Sequence, residues 1–217
     1  VCMKHVGMNV AADAFVNSAI TGVNGGLVVL AADDPSMHSS QNEQDSRFYG
    51  KFAMIPILEP SSQQEAYDMM PYAFSLSEEL RLPVLMRVVT RLAHSRAGVE
   101  VTAPLPQNEL NPDSERTHWV LLPGNARRQY ASLVAKQPQL LTSSEESPYN
   151  RVLATEGAKI GVVACGIAYN YVMENEPAKR GVYVLKVSQY PLPEQAIKAL
   201  AAECDTIIVA EDGQPVV

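Results

Sequence analysis

The stretch Gly26-Leu27-Val28-Val29-Leu30-Ala31, running on into Ala32-Asp33-Asp34-Pro35-Ser36-Met37-His38-Ser39-Ser40-Gln41-Asn42-Glu43-Gln44-Asp45-Ser46-Arg47, carries the fold class of this chain. Its first half is an unbroken apolar run of strand length. A strand with one wet face alternates apolar and polar residues. An unbroken run is instead buried on both faces, which is the habit of parallel sheets. Its second half turns abruptly polar and holds little that could pack in a core. In open parallel sheets ligands bind beyond the carboxyl ends of the strands, where such a loop emerges. Met37 and His38 among Ser, Gln and Asn favour a specific, partly buried network; the plain alternative is a solvated surface loop.

The same strand signature recurs at 54–58, 83–89, 159–164, 182–187 and 206–210. Helical patterns lie between these runs. Ser61-Ser62 caps a segment with Ala66, Met69, Met70, Ala73, Phe74, Ser77 and Leu80 at helical spacing. Pro71 falls inside it and is expected to kink the helix or shift its start. Residues 167–175 and 193–203 read as two more helices, the second opened by Pro193. Strands alternating with helices predict an α/β fold with helices on both faces of a parallel sheet. From Ala97 to Asn150 six prolines and the polar run Ser143–Ser147 break the pattern, with one helix expected within Ala126–Ala135. The expected organisation is therefore an α/β unit at 1–97, a connecting region at 98–150 and a second α/β unit at 151–217.

Composition excludes several function classes. Lys and Arg number 17 against 24 Asp and Glu, a net charge of −7, and no basic run is longer than Arg127-Arg128. A phosphate-backbone binder carries a basic face, so nucleic acid is not an expected partner. No apolar run approaches the roughly 20 residues that span a bilayer, and no signal-peptide pattern is present, so no membrane association is expected. Cys2, Cys165 and Cys204 are odd in number and far apart. They form neither a disulfide framework nor a CxxC pair, which points to a reducing, cytoplasmic setting and leaves iron–sulfur or zinc ligands unsupplied. GxGxxG, GxxxxGK[ST], GxSxG and HExxH are all absent. The chain starts at Val1 in sequence that already looks structured, and is expected to be a piece of a longer protein.

Three further polar segments sit at element ends. Met3-Lys4-His5-Val6-Gly7-Met8-Asn9 reads as a loop entering a helix, a natural anion or cofactor position, or equally as a solvated rim. Thr90-Arg91-Leu92-Ala93-His94-Ser95-Arg96 follows a strand and could hold a carboxylate or phosphate through its arginines, or simply begin a basic linker. Glu211-Asp212 after the last strand reads as a strand-end cap. These residues place polar loops at strand ends and name no reaction.

The segments also carry a family resemblance. Residues 4–13, 25–29 and 32–47, with Leu58–Ser61, Pro83–Arg87, Thr90–Arg96, Glu146–Asn150 and Gly166–Val172, resemble in order the large subunit of indolepyruvate ferredoxin oxidoreductases. The resemblance implies a thiamine-diphosphate enzyme of the 2-oxoacid:ferredoxin oxidoreductase group. It would convert indole-3-pyruvate or another aryl pyruvate, with coenzyme A, to the arylacetyl-CoA, with ferredoxin as electron acceptor, a small beta subunit as partner, and a dimer of alpha–beta pairs as assembly. It implies that 1–97 is the later part of a pyrimidine-binding domain and 151–217 the start of a transketolase C-terminal-like domain. The activating glutamate, the diphosphate and Mg2+ ligands and the [4Fe-4S] cysteines would all lie outside these residues. By this resemblance His5 and His38 are the expected catalytic residues, Gln41 and Asn42 line the cofactor, and Lys4 meets the substrate carboxylate. Asp45 and Arg47 are expected to form a structural ion pair. Pyruvate-specific relatives place an arginine near Asp33, and its absence fits a different substrate. A non-oxidative thiamine-dependent decarboxylase or synthase, and a non-catalytic assembly module, remain the alternatives.

Overall fold

A computed structural model describes all residues, 1–217. The first unit runs β1 (Cys2–Lys4), α1 (His5–Val10), α2 (Ala12–Thr21), β2 (Val28–Asp33), α3 (Arg47–Ala53), β3 (Ile57–Leu58), α4 (Gln63–Leu80), β4 (Val84–Val89) and α5 (Thr90–His94). Residues 95–122 carry no regular structure beyond a single turn at Arg116–Trp119, after which α6 (Pro123–Ala135) and α7 (Gln137–Glu145) follow. The second unit is β5 (Arg151–Leu153), β6 (Ile160–Cys165), α8 (Ala168–Glu174), β7 (Val182–Val187), β8 (Gln189–Tyr190), α9 (Glu194–Glu203) and β9 (Thr206–Ala210).

Two sheets result, ordered β1-β2-β4-β3-β8 and β5-β7-β6-β9. Pairing is parallel throughout except at β8 and β5, which run antiparallel to β3 and β7. β2 and β4 lie side by side in the first sheet and are buried almost continuously, as their unbroken apolar sequences require. The strands expected at 26–31, 83–89, 159–164, 182–187 and 206–210 are present within a residue or two, whereas the run at 54–58 shrinks to Ile57–Leu58. Three very short strands, β1, β5 and β8, had no readable signal. β8 follows β7 in the chain yet joins the first sheet, with Ile57 opposite Tyr190 and Leu58 opposite Gln189. β8 thus ties the segment after β7 to the first sheet.

α4 begins where its cap predicts. The Ser62 hydroxyl accepts the Glu65 amide at 3.2 Å, and the helix runs unbroken through Pro71 to Leu80. The expected shift of its start does not occur. Pro71 forgoes one backbone hydrogen bond, while Met69, Ala73, Leu76 and Leu80 keep the helix seated by burying its apolar face. Helix α1 is a second departure: it starts at His5, so Gly7 lies inside it and not in a preceding loop, and a Cβ added to Gly7 would stand 3.1 Å from the Met3 Cβ. One continuous apolar core runs from Met8 and Phe15 through Leu85 to Val163, Leu185 and Leu200. Leu133 of α6 and Leu140 of α7 belong to it, so most of the connecting region's helical part packs as structure and not as a tether.

Candidate functional site at the carboxyl end of the first sheet

The parallel register brings Lys4, Asp33 and Val89 to one end of the sheet, since Lys4 pairs with Ala32 and Asp33 with Val89. The loop from Asp34 to Ser46 leaves from this end. Asp33 closes its base, accepting the Ser46 amide at 2.8 Å and the Ser46 hydroxyl. Asp34 organises its interior, accepting from the amides of His38 and Ser39 at 3.1 and 2.8 Å and from the hydroxyls of Ser40 and Thr90, both at 2.7 Å. Those bonds hold the Asp34 carboxyl well below the usual carboxylate range, the Ser40 hydroxyl contributing most. They also hold Ser36 (φ 63°) and Met37 (φ 53°) in the left-handed region that L side chains rarely adopt.

Beneath the loop lies a buried charge network. Arg47 and Arg87 are respectively 0% and 1% exposed, and they face Asp33, Asp45, Glu59 and Glu211. Arg87 donates Nε to Asp33 at 2.6 Å and Nη1 to Glu59; Arg47 donates Nη1 to Glu211 at 2.8 Å. Tyr190 Oη donates to Glu59 at 2.8 Å. Burial alone would push both guanidinium groups down, but the facing carboxylates hold them above their ordinary value. Burial raises the Asp33 carboxyl in spite of Arg87, and the same burial is overcome at Asp45, where hydrogen bonds from Arg47 and the Arg87 charge hold the carboxyl low. The segment after β9 closes the network: Asp212 and Gln214 give backbone carbonyls to Arg87 and Arg47 at 2.7 and 2.8 Å. Gly213 sits there at φ 127°, and a Cβ on it would stand 2.6 Å from Asp45 Oδ2. The second unit is pinned to the first a second time by the buried pair Lys186–Glu65.

The expected site residues divide into two groups. Lys4 stands on the rim, 40% exposed at its side chain, with Nζ 3.8 Å from Asp34. His5 is fully buried and neither ring nitrogen has a partner. An unpaired buried imidazole is costly, and such groups concentrate where a ligand completes them. His38, Gln41 and Asn42 are exposed on the loop surface, and Met37 is 49% exposed. The expectation of a partly buried network around Met37 and His38 is thus corrected: the buried members are Asp33, Asp34, Asp45, Ser46 and Arg47, and they turn the loop's middle outward. The Asp45–Arg47 pair is present as expected, with Nε 2.9 Å from Oδ1. Glu211 caps the strand end, as read, by accepting the Val216 amide while pairing with Arg47. Asp33, Glu59 and Arg87 escaped the sequence reading. A signal existed: an arginine in the middle of the apolar run Val84–Val89 cannot be buried without carboxylate partners. Lys186 in Val182–Val187 carries the same message. No three His, Cys, Asp or Glu side chains stand close enough to hold a metal ion, and no helix is long and apolar enough to cross a membrane.

Comparison with known proteins places the chain among relatives. No family model matches the chain. Indolepyruvate oxidoreductase subunit IorA of Methanothermobacter thermautotrophicus is 43% identical over 99% of the chain, and that of Archaeoglobus fulgidus 42% identical over 99%. The relatives of this chain are indolepyruvate oxidoreductase subunits. The resemblance read in segments from residue 4 to residue 172 thus holds along the whole sequence, although the chain spans only 35% of the length of these relatives. Among solved structures, 2-oxoglutarate:ferredoxin oxidoreductase from Magnetococcus marinus, with 2-oxoglutarate, coenzyme A and succinyl-CoA bound, superposes with a TM-score of 0.69 at 15% identity. The match covers 96% of this chain and 45% of that one, and it bears out the expected α/β fold of parallel sheets flanked by helices.

Proposed function

We propose that this chain supplies one wall of the active site of an oxidoreductase that oxidatively decarboxylates indole-3-pyruvate and other aryl pyruvates to arylacetyl-CoA, passing the electrons to ferredoxin. The observation that carries the reading is the 43% identity to an indolepyruvate oxidoreductase subunit over 99% of the chain. The residues fit a thiamine cofactor in one respect: the fully buried, unpartnered imidazole of His5 stands at the strand ends where such a group would need a polar partner. Thiamine diphosphate, when bound, supplies the electron sink for loss of CO2. Its Mg2+ and diphosphate ligands, and the [4Fe-4S] clusters, come in this reading from residues outside 1–217, and the small beta subunit, ferredoxin and a dimer of alpha–beta pairs complete the cytoplasmic enzyme.

Within that scheme His5 orients the cofactor ring or the keto group by offering one ring nitrogen as donor and the other as acceptor. Lys4, partly exposed and only loosely tied to Asp34, meets the substrate carboxylate. His38, Gln41 and Asn42 lie on the outer surface of the loop and reach the site from there, facing the cofactor half supplied by the rest of the enzyme. Asp34 holds the loop by accepting from two of its amides and from the hydroxyls of Ser40 and Thr90. The test is coenzyme A-dependent viologen reduction by the complete enzyme, purified anaerobically with its partner subunit, on indolepyruvate, phenylpyruvate and pyruvate. Fast reduction with the aryl acids and little with pyruvate is expected. Reduction by none of them, from protein that does contain thiamine diphosphate and iron, would discard the substrate.

A further inference from the structure

At the opposite end of the first sheet, where β2 and β4 begin, a cavity of about 220 Å³ opens between the end of α2, Arg81 and Leu82, the turn at 116–119, and α6. It is smaller than the roughly 300–1,000 Å³ clefts that take drug-sized ligands, so its occupant is small. Two cations line it. Arg81 is exposed and its guanidinium makes no hydrogen bond or ion pair within the protein, and the half-buried Lys136 Nζ donates only to the Leu80 carbonyl, at 2.6 Å. The two charges are close enough that, with burial, Arg81 lowers the Lys136 ammonium. On the same wall the Gln129 side chain is 7% exposed. Its Nε2 donates to the His118 carbonyl at 2.6 Å, which fixes the amide's orientation and leaves Oε1 buried with no donor. Asp113 is the one carboxylate on the lining, and it accepts only the Glu115 amide. Trp119, 41% exposed, with Ile20 and Leu133, supplies the apolar surface.

Two cations without a carboxylate partner favour an anionic group, a buried unpaired acceptor and a carboxylate on the same lining favour a donor, and an indole face favours an apolar or aromatic body. We propose that this cavity is a binding site for a free α-amino acid with an aromatic side chain. Its carboxylate meets Arg81 and Lys136, its ammonium meets Gln129 Oε1 and Asp113, and its ring packs on Trp119 and the apolar wall. The site is separate from the candidate active site, since it lies at the strands' amino ends, and it stands independently of the reaction proposed above.

Trp119 is the one tryptophan among the 217 residues, so its fluorescence reports on the cavity directly. Titration of the chain with L-phenylalanine, which does not absorb at tryptophan's red-edge excitation, is expected to give a saturable change. 3-Phenylpropionate lacks the ammonium and phenethylamine lacks the carboxylate. Each is expected to bind at least about tenfold more weakly, the cost of losing one of the two charged sets of contacts. Arg81→Gln removes a side chain with no partner in the fold, and is expected to weaken phenylalanine by about tenfold or more at unchanged melting temperature. Absence of any change up to millimolar phenylalanine would overturn the assignment. So would unaltered affinity in Arg81→Gln, or inorganic phosphate binding as tightly as phenylalanine, which would reduce the site to a bare pair of cations.

Discussion

Strands β4 and β9 are both short, mostly apolar runs, Val84-Leu85-Met86-Arg87-Val88-Val89 and Thr206-Ile207-Ile208-Val209-Ala210, yet have opposite surroundings. β4 lies inside its sheet between β2 and β3, with Leu85 0% and Met86 1% exposed. β9 is an edge strand paired only with β6, and its Ile207, Ile208 and Val209 are 42–49% exposed. Apolar runs of this kind declare a strand. Only the neighbours decide whether the strand's side chains stabilise anything. A second contrast is chemical: the interior strand carries a fully buried arginine and the edge strand carries no charge at all.

That contrast can be broken most forcefully at the arginine. Arg87→Met leaves Asp33 and Glu59 buried without their partner, and is expected to cost about 3–5 kcal/mol in chemical denaturation. The Asp33→Asn, Glu59→Gln, Arg87→Met triple variant should recover much of that loss, because the penalty comes from uncompensated charge and not from missing attraction. If the single and triple variants were equally unstable, packing and not charge would be the source.

Leu85→Ala set against Ile208→Ala sharpens the comparison of the two strands. The first opens a cavity in the continuous core and should cost about 2–5 kcal/mol. The second removes a half-exposed side chain and should stay within about 0.5 kcal/mol. Equal losses would mean that the β9 face is covered in solution.

The smallest effect concerns pH. Asp34 is held below its ordinary value near 3.8, so its folded carboxylate is favoured and the stability that it lends is present above that value. It is lost as pH falls through the lowered folded value. Amide signals of His38 and Ser39, followed by NMR from neutral pH into acid, should therefore keep their loop positions until well below pH 4 and shift only then. In Asp34→Asn that acid transition should vanish, and a transition centred near 3.8 in the native chain would show that the loop bonds do not favour the charged form.

How much was legible before folding varies by residue. The apolar runs, the Ser62 cap and the helix spacing of Ala66 to Leu80 depend on nearest neighbours along the chain, and they read correctly. The 33–47 loop was recognisable as the place where polar side chains leave a strand end. Which of them point inward was not, because that follows from partners 54 to 169 residues away, such as Arg87 on Asp33 and Gln214 on Asp45. The same holds for β8, two residues long and joined to a sheet whose other strands lie more than 90 residues earlier in the chain.

By itself the sequence determined the α/β class and the place of most of the longer strands and helices, since periodicity and turn chemistry are local properties. Tertiary structure alone decided that His5 is sealed in without a partner, that His38, Gln41 and Asn42 face outward, and that Arg47 and Arg87 bind the two units together. Burial and pairing of charge depend on distances between residues remote in the chain, and those distances exist only once the chain has folded.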